Sequence, residues 1–588
     1  MIAILTDKPS VGKEIGRIIG ATKVRNGYVE GNGYMVTWTF GNMLSLAMPK
    51  DYGTQKLERN DFPFIPSEFE LMVRHTLSLI HISENGWIPD IDAVLQFKVI
   101  ERVFQACDTI IAATDASRDG EMTFRYVYQY LNCTQPCFRL WISSLTDESV
   151  RKGMENLKPD SCYDSLFLSA DSRNKADWIL GINASYAMCK ATGLGNNSLG
   201  RVQTPVLAAI SRRYRERENH ISSDSWPIYI SLQKDGILFK MRRTQDLPDK
   251  ESATMFFQDC KLAHQAQITG ISHSVKEILP PDLLDLTQLQ KEANIRYGFT
   301  ASEVYDIAQS LYEKKLISYP RTSSRYLTED VFDSLPPIMA CLLSWELFPA
   351  AKGTGGIDIS NLSRHVISAE KANVHHAIII TGIRPGNLSE KEMQVYRLVA
   401  GRMLETFMAP CRIETTNVEA VCAAQHFKAE QTRIIEAGWH DVFMRYDMIP
   451  TSGYSVKELP EVEKGDTLNV CGCNMVHKKE LPVDPFTDAE LVEYMELNGL
   501  GTVSSRTNII RTLVNRKYIR YSGKYIVPTP KGMFTYETIR GKKIADTSLT
   551  ADWEKQLAGL ESGMITGQDF LNRIRTLAKE MTDDIFNT

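Results

Sequence analysis

The chain has 588 residues, 43% of them hydrophobic and 24% charged, a composition that excludes a mainly disordered or fibrous protein. Its length predicts about four domains. The net charge of −5 argues against a uniformly basic surface but leaves room for a local basic groove. No apolar run approaches the roughly 18 residues of a membrane span. No basic segment precedes the short apolar run at the start, so we expect a cytoplasmic protein without a signal peptide.

The first part of the chain predicts an α/β domain. The apolar run Ile2–Leu5 is typical of a short buried strand, and Ser10 is the expected cap of a following helix. A second buried strand is predicted at Thr109–Thr114, and a polar loop then leads into a helix over about Glu121–Leu131. This order of elements is typical of a parallel sheet, in which ligands bind at the strand ends.

The rest of the chain alternates between helical and strand-rich segments. The capping box Thr300–Glu303 begins an amphipathic helix that we expect to end near Ile317. The return to strands after a helical interval predicts one β region that the chain enters twice. The predicted segments are helix over 150–215, strands over about 225–280, helix over 286–380, strands over about 411–475 and a helical basic segment over 485–588.

The eleven cysteines are odd in number and include no CxxC pair, so free thiols are predicted and a zinc module is not. Thr6–Glu14 partly resembles a phosphate-binding P-loop. It has Asp7 where that motif needs Gly and Glu14 where it needs Ser or Thr, so we reject ATP binding here. Asp7 and Lys8 suit proton transfer and phosphate contact, and a surface ion pair is the alternative.

Two further carboxylates follow the second predicted strand. Asp115 and Asp119, with Ser117 between them, could hold Mg²⁺ through oxygen ligands. Mg²⁺ keeps several waters, so a site with few protein ligands is normal for it. The alternative is an acidic turn at the start of a helix, where the helix dipole favours Asp.

The triplet Tyr319–Arg321 lies on the loop after the amphipathic helix. A phenol is a poor nucleophile when protonated, and an adjacent guanidinium stabilises the phenolate and grips a phosphate. His375 is a candidate for phosphate or proton contact near Tyr319. It forms a poor metal site with His376, because adjacent histidines in a strand point apart. A tyrosine on a surface turn and a core histidine are the alternatives.

Residues 501–545 hold ten Lys or Arg and one acid, Glu537, with five aromatic residues interleaved. Cations for phosphates and rings for bases are what a single-strand groove needs. A solvated helix face with core aromatic residues is the alternative.

Seven motifs occur in one order along the chain, and together they resemble the type IA DNA topoisomerases, most closely the bacterial ones. The resemblance covers nearly the whole chain. The motifs are Thr6–Ser10, Ala113–Glu121, Arg173–Asn183, Ser198–Pro205, Ile317–Thr322, Val374–Ile379, and Gly499–Thr502 with Arg506.

The resemblance implies a multidomain toroid with an α/β toprim domain, helical winged-helix-like domains and a β-rich arch. The implied boundaries are 1–150 for the toprim domain, 151–217 with 485–588 for a helical DNA-binding domain, 218–280 with 405–480 for the arch as strand-gate hinge, and 281–404 for a winged-helix-like domain that carries the active-site tyrosine.

The resemblance also implies ATP-independent strand passage that relaxes negative supercoils or unlinks DNA. Tyr319 would attack a phosphodiester and keep the 5′ phosphate as an ester, and the 3′ hydroxyl would later reverse the attack. Arg321 and Lys8 would stabilise the phosphate charge, and Asp7 would protonate the leaving 3′ oxygen. His375 belongs to the same implied catalytic set.

Cofactor and partners follow from the same resemblance. Asp115 and Asp119, with Asp7, would hold Mg²⁺, used chiefly to position DNA for rejoining. The implied partner is single-stranded or negatively supercoiled DNA, with a helicase as a candidate partner. We expect a monomer without membrane contact in the bacterial cytoplasm, associated with the nucleoid or a plasmid. The implied contacts to DNA are Arg173, Arg201, Gln203 and Arg506.

Three acidic positions depart from the family pattern. Asp7 and Asp119 stand where the family has Glu, and Ser117 stands where it has Asp. A misplacement of about 1 Å can cost on the order of 10²-fold in rate. We therefore hypothesise weaker Mg²⁺ binding than in a full acidic set.

Two other functions compete with an active topoisomerase. A single-strand DNA-binding paralogue with impaired catalysis is motivated by the altered acids, and the intact Tyr319–Arg321 triplet argues against it. A toprim primase or nuclease is the third hypothesis. The motifs around Arg201, His375 and Gly499 weigh against it.

Overall fold

The computed structural model of the chain describes all residues except several short segments. Val374, the first residue of the predicted histidine motif, lies outside the described residues. Within the described part, no helix is long and apolar enough to cross a membrane. The segments left out are 55–56, 78–86, 143–144, 194, 196, 346, 349–356, 369, 373–374, 446–451 and 588.

The first 160 residues fold around a mixed, seven-stranded sheet. The elements of this region are β1 (Ile2–Thr6), α1 (Pro9–Ile19), β2 (Lys23–Arg25), β3 (Tyr28–Gly31), β4 (Tyr34–Trp38), β5 (Leu44–Leu46), β6 (Leu71–Val73), β7 (His75–Leu77), β8 (Trp87–Pro89), α2 (Ile91–Gln105), β9 (Thr109–Ala112), α3 (Arg118–Tyr130), β10 (Cys137–Arg139), α4 (Asp147–Glu155) and β11 (Lys158–Pro159). The strand order is β11-β10-β9-β1-β4-β3-β2, and β1 pairs in parallel with both β4 and β9. The predicted α/β arrangement of this part is confirmed.

Two helix starts differ from the prediction. The Ser10 cap is wrong because α1 begins at Pro9 and its N-cap is Lys8; proline suits the first helical position, where no backbone N–H partner is needed. α3 begins at Arg118, three residues early, because the Ser117 hydroxyl accepts a hydrogen bond from the Gly120 N–H and caps the helix.

Two helices lead from the sheet to a β-rich region. These helices are α5 (Asp164–Thr192) and α6 (Gln203–Glu218). The first elements of the β region are β12 (Asp224–Ser225), β13 (Ile228–Lys234), β14 (Ile237–Arg243), α7 (Lys250–Leu262) and β15 (Gln265–Ile278).

A helical region follows and carries the predicted tyrosine. Its helices are α8 (Leu286–Tyr297), α9 (Ala301–Glu313), α10 (Glu329–Asp333), α11 (Leu335–Ser344) and α12 (Glu390–Phe407). The capping box of α9 is confirmed: the Thr300 hydroxyl accepts from the Glu303 N–H, and the Glu303 carboxylate accepts from the Thr300 N–H. α9 ends four residues before Ile317, because Lys315 adopts the left-handed conformation at φ 63°.

The chain then returns to the β region, as predicted. The returning strands are β16 (Cys411–Cys422), β17 (Gln425–Glu436), β18 (Thr467–Met475) and β19 (Lys478–Lys479). The first three of these strands complete a six-stranded barrel of order β13-β14-β17-β16-β15-β18, and β19 pairs with β12. β15 and β16 pair antiparallel from Gln267 opposite Val421 to Ile278 opposite Cys411.

The C-terminal region packs on α5 and α6. Its elements are α13 (Asp488–Leu497), α14 (Val503–Asn515), β20 (Ile519–Ser522), β21 (Tyr525–Pro528), α15 (Pro530–Ile539), α16 (Thr547–Glu561) and α17 (Gly567–Phe586). Trp553 and Phe570 from this region share a buried core with Ile179 and Leu180 of α5. Residues 161–218 and 485–588 therefore form one packed unit, although they are far apart in sequence.

Candidate active site

Three segments meet at the carboxyl ends of β1 and β9. Asp7 follows β1, Asp115 lies beyond β9, and the Asp115 N–H donates a hydrogen bond to the Asp7 carboxylate. The two loops emerge at one edge because the strands pair in parallel, with Leu5 beside Ala112. The third segment is the loop Ser318–Thr322 after α9.

Tyr319 is buried at this interface, with 3% of its surface exposed. Its hydroxyl donates to Asp115 Oδ2 at 2.9 Å, and Arg321 Nη1 donates to the same oxygen at 2.7 Å. The loop is fixed from behind, since the Ser318 N–H donates to the Ile379 carbonyl and the Ile379 N–H donates to Ser318 Oγ. One carboxylate oxygen of the sheet domain thus binds both the phenol and the guanidinium of the tyrosine region.

Burial and charge repulsion set the protonation of this cluster. Burial first, and then the Asp115 charge, raises the pKa of Asp7 well above its usual range. The same two causes raise the pKa of Tyr319, against the opposing effect of Arg321. The closed arrangement therefore favours a protonated Asp7 and a neutral phenol at Tyr319. The cluster thus combines a protonated carboxyl group with a phenol that is buried from solvent.

His375 is the member of the predicted histidine pair that joins the site. Its Nε2–H donates to the Ala116 carbonyl, and its ring centroid lies 4.6 Å from that of Tyr319. The imidazole also stacks on Trp141, at 6.4 Å between centroids and 8° between planes. Burial lowers the pKa of His375 to about 4, so the ring is neutral near neutral pH. His376 instead bonds to the Ala377 carbonyl.

Lys8 spans the same interface from the sheet side. Its ammonium lies 3.2 Å from Glu313 Oε1 at the end of α9, and both side chains are partly exposed. Lys8 is therefore ion-paired, but with Glu313 and not with the buried Asp7. The partner belongs to the helix that leads to Tyr319, so the pair also links the two regions.

Arg139 and Glu121 support the site from beneath, and the sequence offered no reason to select them. Arg139 is buried in β10, where its Nη2 donates to the Asp115 carbonyl at 2.7 Å and its Nη1 donates to Thr114 Oγ1 at 2.8 Å. The fully buried Glu121 carboxylate lies 3.3 Å from Arg139 Nε. These contacts hold the loop that presents Asp115. The usable signal is a charged residue within a short buried strand, but that strand was not predicted.

The acidic residues fit a magnesium site with two carboxylates and several waters. Asp7 and Asp115 offer oxygen donors at one sheet edge, and the Asp115 charge helps to raise the pKa of Asp7, an effect that a bound cation would oppose. Among the described residues, no three His, Cys, Asp or Glu side chains converge as a metal-binding group. Ser117 caps α3 instead of facing Asp115 as a ligand. Asp119 acts nearby, because its charge, after burial and the Asp115 charge, helps to raise the pKa of Tyr305.

Three of the four predicted DNA contacts share one cleft, which we call the α5–α6 cleft. Its volume is about 380 Å³. Arg201 is fully buried between Asp177, at 2.8 Å, and Glu554, at 3.4 Å. Gln203 donates to the Ser198 carbonyl and accepts from Arg516. Residues that line the cleft include Arg173, Asp177, Trp178, Ser198, Arg201, Gln203 and Arg516.

Arg506 does not line this cleft. Its Nη1 donates to Thr287 Oγ1 at 3.0 Å and lies 3.4 Å from Glu496 Oε1, so it joins α14 to α8. The basic segment 501–545 does not present all of its basic and aromatic side chains on one exposed surface. Tyr518 and Tyr536 are buried, and Tyr518 donates to the Ser198 carbonyl. Core packing therefore accounts for at least these two aromatic residues.

Comparison with known proteins agrees with the geometry. Residues 161–572 match a family model described as DNA topoisomerase, and residues 2–145 match the Toprim domain. The two models together define a class of enzymes that acts on DNA and combines a Toprim domain with a DNA topoisomerase region. The chain belongs to the DNA topoisomerase family, in its type IA branch.

Curated relatives and a solved structure extend this assignment. The chain is 32% identical to a protein named DNA topoisomerase 3 from Bacillus licheniformis, over 99% of this chain and 81% of the relative. It is also 32% identical to DNA topoisomerase 3 from Bacillus subtilis, over 100% of this chain and 82% of the relative. The structure of full-length topoisomerase I from Thermotoga maritima shares the fold, with a TM-score of 0.72 at 20% identity, over 99% of this chain and 90% of that one.

These matches confirm the predicted class of fold and of enzyme. The fold is a multidomain toroid with an α/β toprim domain, helical domains and a barrel-like β arch. The enzyme is an isomerase that acts on DNA by ATP-independent single-strand passage. The matches do not favour the alternative of a binding paralogue without turnover. The Toprim domain is generally a magnesium-binding fold in topoisomerases.

Proposed function

We propose that Tyr319 is the nucleophile of this topoisomerase. The convergence of Asp7, Asp115, Tyr319 and Arg321 at one buried interface carries the proposal. The phenol oxygen attacks the phosphorus, its proton passes to the Asp115 oxygen that already accepts its hydrogen bond, and the bond to the 3′ oxygen breaks. Asp7 donates its proton to that leaving oxygen. Attack by the 3′ hydroxyl on the phosphotyrosine reverses each transfer.

Three further residues support the crowded phosphate. Arg321 offers a fork of N–H donors that can turn from Asp115 to a phosphate oxygen. Lys8 supplies a mobile ammonium at the same edge once it leaves Glu313. His375 is neutral, so its contribution is to pack against the Tyr319 ring and donate from Nε2 without adding charge.

Magnesium is the proposed cofactor, held by Asp7 and Asp115 with Asp119 nearby. When bound, it would supply positive charge that holds the DNA ends in place for rejoining. Ser117 offers a capping hydroxyl where the family has a carboxylate. We therefore keep the proposal that the metal binds more weakly here than in a full acidic set.

Single-stranded DNA is proposed to occupy the α5–α6 cleft. Arg173, Arg201 and Gln203 would contact its backbone once phosphates replace the present partners of the arginines. Arg506 would contribute indirectly, by holding α14 against α8.

The proposed setting is a monomer in the bacterial cytoplasm, associated with the nucleoid or a plasmid, with a helicase as partner. The proposed domains are 1–150, 151–217 with 485–588, 218–280 with 405–480 and 281–404, although β11 pairs with β10, so the sheet of the first domain extends past residue 150.

The test compares the native chain with Tyr319→Phe on negatively supercoiled plasmid, with Mg²⁺ and without ATP. We expect relaxation by the native chain and none by the variant, which lacks the attacking oxygen. Tyr312→Phe is the matched control, since its buried ring lies 5.4 Å from that of Tyr319 and the substitution preserves the packing. A denaturing gel should show the covalent DNA adduct for the native chain and the control alone. Relaxation by Tyr319→Phe would overturn the proposal.

A further inference from the structure

Four charged side chains join the toprim domain to the end of α9, away from the reacting groups. Lys315 Nζ lies 3.2 Å from Asp147 Oδ1 and forms a second ion pair with Glu14. Arg17 pairs with the same two carboxylates and lies 2.8 Å from Glu14 Oε1. We call these four residues, Glu14, Arg17, Asp147 and Lys315, the latch. Lys315 is the member from the tyrosine region, and the other three belong to the toprim domain.

The backbone at Lys315 is held in a conformation that favours glycine. Its φ of 63° is left-handed, which strains an L-residue with a long side chain. The Lys315 N–H donates to the Tyr312 carbonyl at 2.8 Å, and Thr381 Oγ1 donates to the Lys315 carbonyl at 2.5 Å. Glycine would satisfy this turn without strain, so the turn alone gives no reason for lysine. The side chain, 19% exposed, extends from a fixed point to the two carboxylates.

Each side of the interface supplies both a positive and a negative side chain to ion pairs that cross it. The end of α9 presents Glu313 to Lys8 and Lys315 to Glu14 and Asp147. Lys315 also stands four residues before Tyr319, on the segment that carries the nucleophile into the site. Any separation of Tyr319 from Asp115 along this interface therefore has to break the latch as well.

We propose that the latch holds the strand gate closed and that Lys315 sets how readily the gate opens. The gate is the interface between the toprim domain and the tyrosine region. This inference rests on the proposed role of Tyr319, because it assumes that the cleaved DNA ends separate with these two regions. The latch contributes no atom to the reaction centre, so weakening it favours the open state and leaves the cleavage chemistry unchanged. Since it is made of ion pairs near the surface, salt should weaken it.

The test measures the covalent adduct at equilibrium on a single-stranded oligonucleotide. Lys315→Gln should raise the adduct about fivefold, because ends that have separated cannot rejoin until the gate closes. Affinity for the oligonucleotide should stay within about twofold, and the excess adduct should shrink as NaCl rises from about 0.05 to 0.3 M. The matched control is Lys314→Gln, whose partner Glu392, at 2.6 Å, lies within the tyrosine region itself. The control should keep the native level of adduct.

A charge exchange separates the latch from general packing. Lys315→Glu should raise the adduct further, because it places a third carboxylate against Glu14 and Asp147. Adding Glu14→Lys should return the level to within about twofold of native, since opposite charges face each other again. Asp147→Asn, at an exposed position, serves as the second variant if Lys315→Gln melts early.

The outcomes that overturn the two proposals differ. Equal adduct in the native chain, Lys315→Gln and Asp147→Asn would contradict the latch, as would a charge exchange that restores nothing. Absence of adduct from the native chain would instead contradict the role of Tyr319.

Discussion

The candidate active site and the α5–α6 cleft neutralise their charged groups by different means. In the active site, Tyr319 and Arg321 share one oxygen of Asp115 across an interface between two regions, and the phenol is buried. In the cleft, Arg201 is held by Asp177 and Glu554 within one packed unit. In the first arrangement, a phosphate has to displace hydrogen bonds that cross between two regions. The second needs only an exchange of carboxylate for phosphate around a fixed guanidinium.

This difference teaches where single substitutions should matter most. A buried network that joins few groups loses its function when one member is removed, because the others are left without a partner. A cleft with several cations should respond in graded steps, each tied to the number of phosphates that it contacts. Five substitutions test the comparison.

Arg321→Ala should have the largest effect. We expect the cleavage rate to fall about 10³-fold, because the fork of N–H donors on the attacked phosphate is lost and only the Lys8 ammonium remains. Single-turnover cleavage of an oligonucleotide measures the effect. Arg325→Ala is the control on the same loop, since Arg325 pairs with Asp285 at 2.6 Å. A loss of less than about threefold in Arg321→Ala would remove the contrast between the two sites.

Asp7→Asn should lower the cleavage rate about 10²-fold and change its pH dependence. The native rate should fall as pH rises through the elevated pKa of Asp7, because the acid loses its proton. The rate of the variant should lack that decline. A native profile identical in shape to that of Asp7→Asn would contradict the assigned role.

The same substitution should also change the stability of the folded chain, and here the variant gains relative to the native chain. A folded-state pKa above the unfolded value means that the native chain loses stability as pH rises through the folded value. Asp7→Asn should therefore gain melting temperature relative to the native chain at about pH 8, with the gain fading below about pH 4. Thermal melts at the two pH values measure it.

The pair Arg201→Gln and Asp177→Asn tests the cleft. Arg201→Gln should weaken binding of a single-stranded oligonucleotide about tenfold and lower the salt dependence by about one charge. Asp177→Asn should tighten binding about threefold, because it frees Arg201 and removes a repelling carboxylate. Fluorescence anisotropy against salt concentration measures both. Weaker binding by Asp177→Asn would show that this acid positions Arg201 for DNA instead of competing with DNA.

Ser117→Asp should have the smallest effect and concerns the metal. Aspartate caps a helix as well as serine does, so the free energy of unfolding should change by less than about 0.5 kcal/mol. The added carboxylate should lower the Mg²⁺ concentration for half-maximal rejoining about threefold. A native chain that already saturates at micromolar metal would contradict the hypothesis of weak binding.

Local patterns accounted for the parts of the fold that depend on neighbouring residues. The apolar runs of β1 and β9 and the capping box of α9 follow from side-chain periodicity and end groups within a few residues. The return to the β region was also predictable, because the two segments that form it, about 225–280 and about 411–475, both have the residue pattern of strands. The residues of the site came from motifs in a fixed order, and the structure brings Asp7, Asp115, Tyr319 and His375 together.

Partners that are distant in sequence could not be predicted. Glu554 lies 353 positions from Arg201, and no pattern near either residue indicates the pair. Arg139 holds the Asp115 loop from a three-residue strand that is too short to show periodicity. The left-handed Lys315 ends α9 early, and lysine carries no local signal for that conformation. In each case tertiary contacts outweigh local preference.

The strand pair that leads into and out of the tyrosine region has a mechanical consequence. Ile278 faces Cys411 at the last position of the β15–β16 ladder, so the chain enters and leaves the tyrosine region at one end of this ladder. The tyrosine region is in effect a cantilever, with its root in this ladder and its far side held by the ion pairs at Lys315 and by the contacts of α8 with α13 and α14. The contacts at the far side then set the force needed to open the gate, and the stiffness of the β15–β16 ladder sets how far the region moves. The arch would then determine the width of the opening, and the far end of the region would determine its timing.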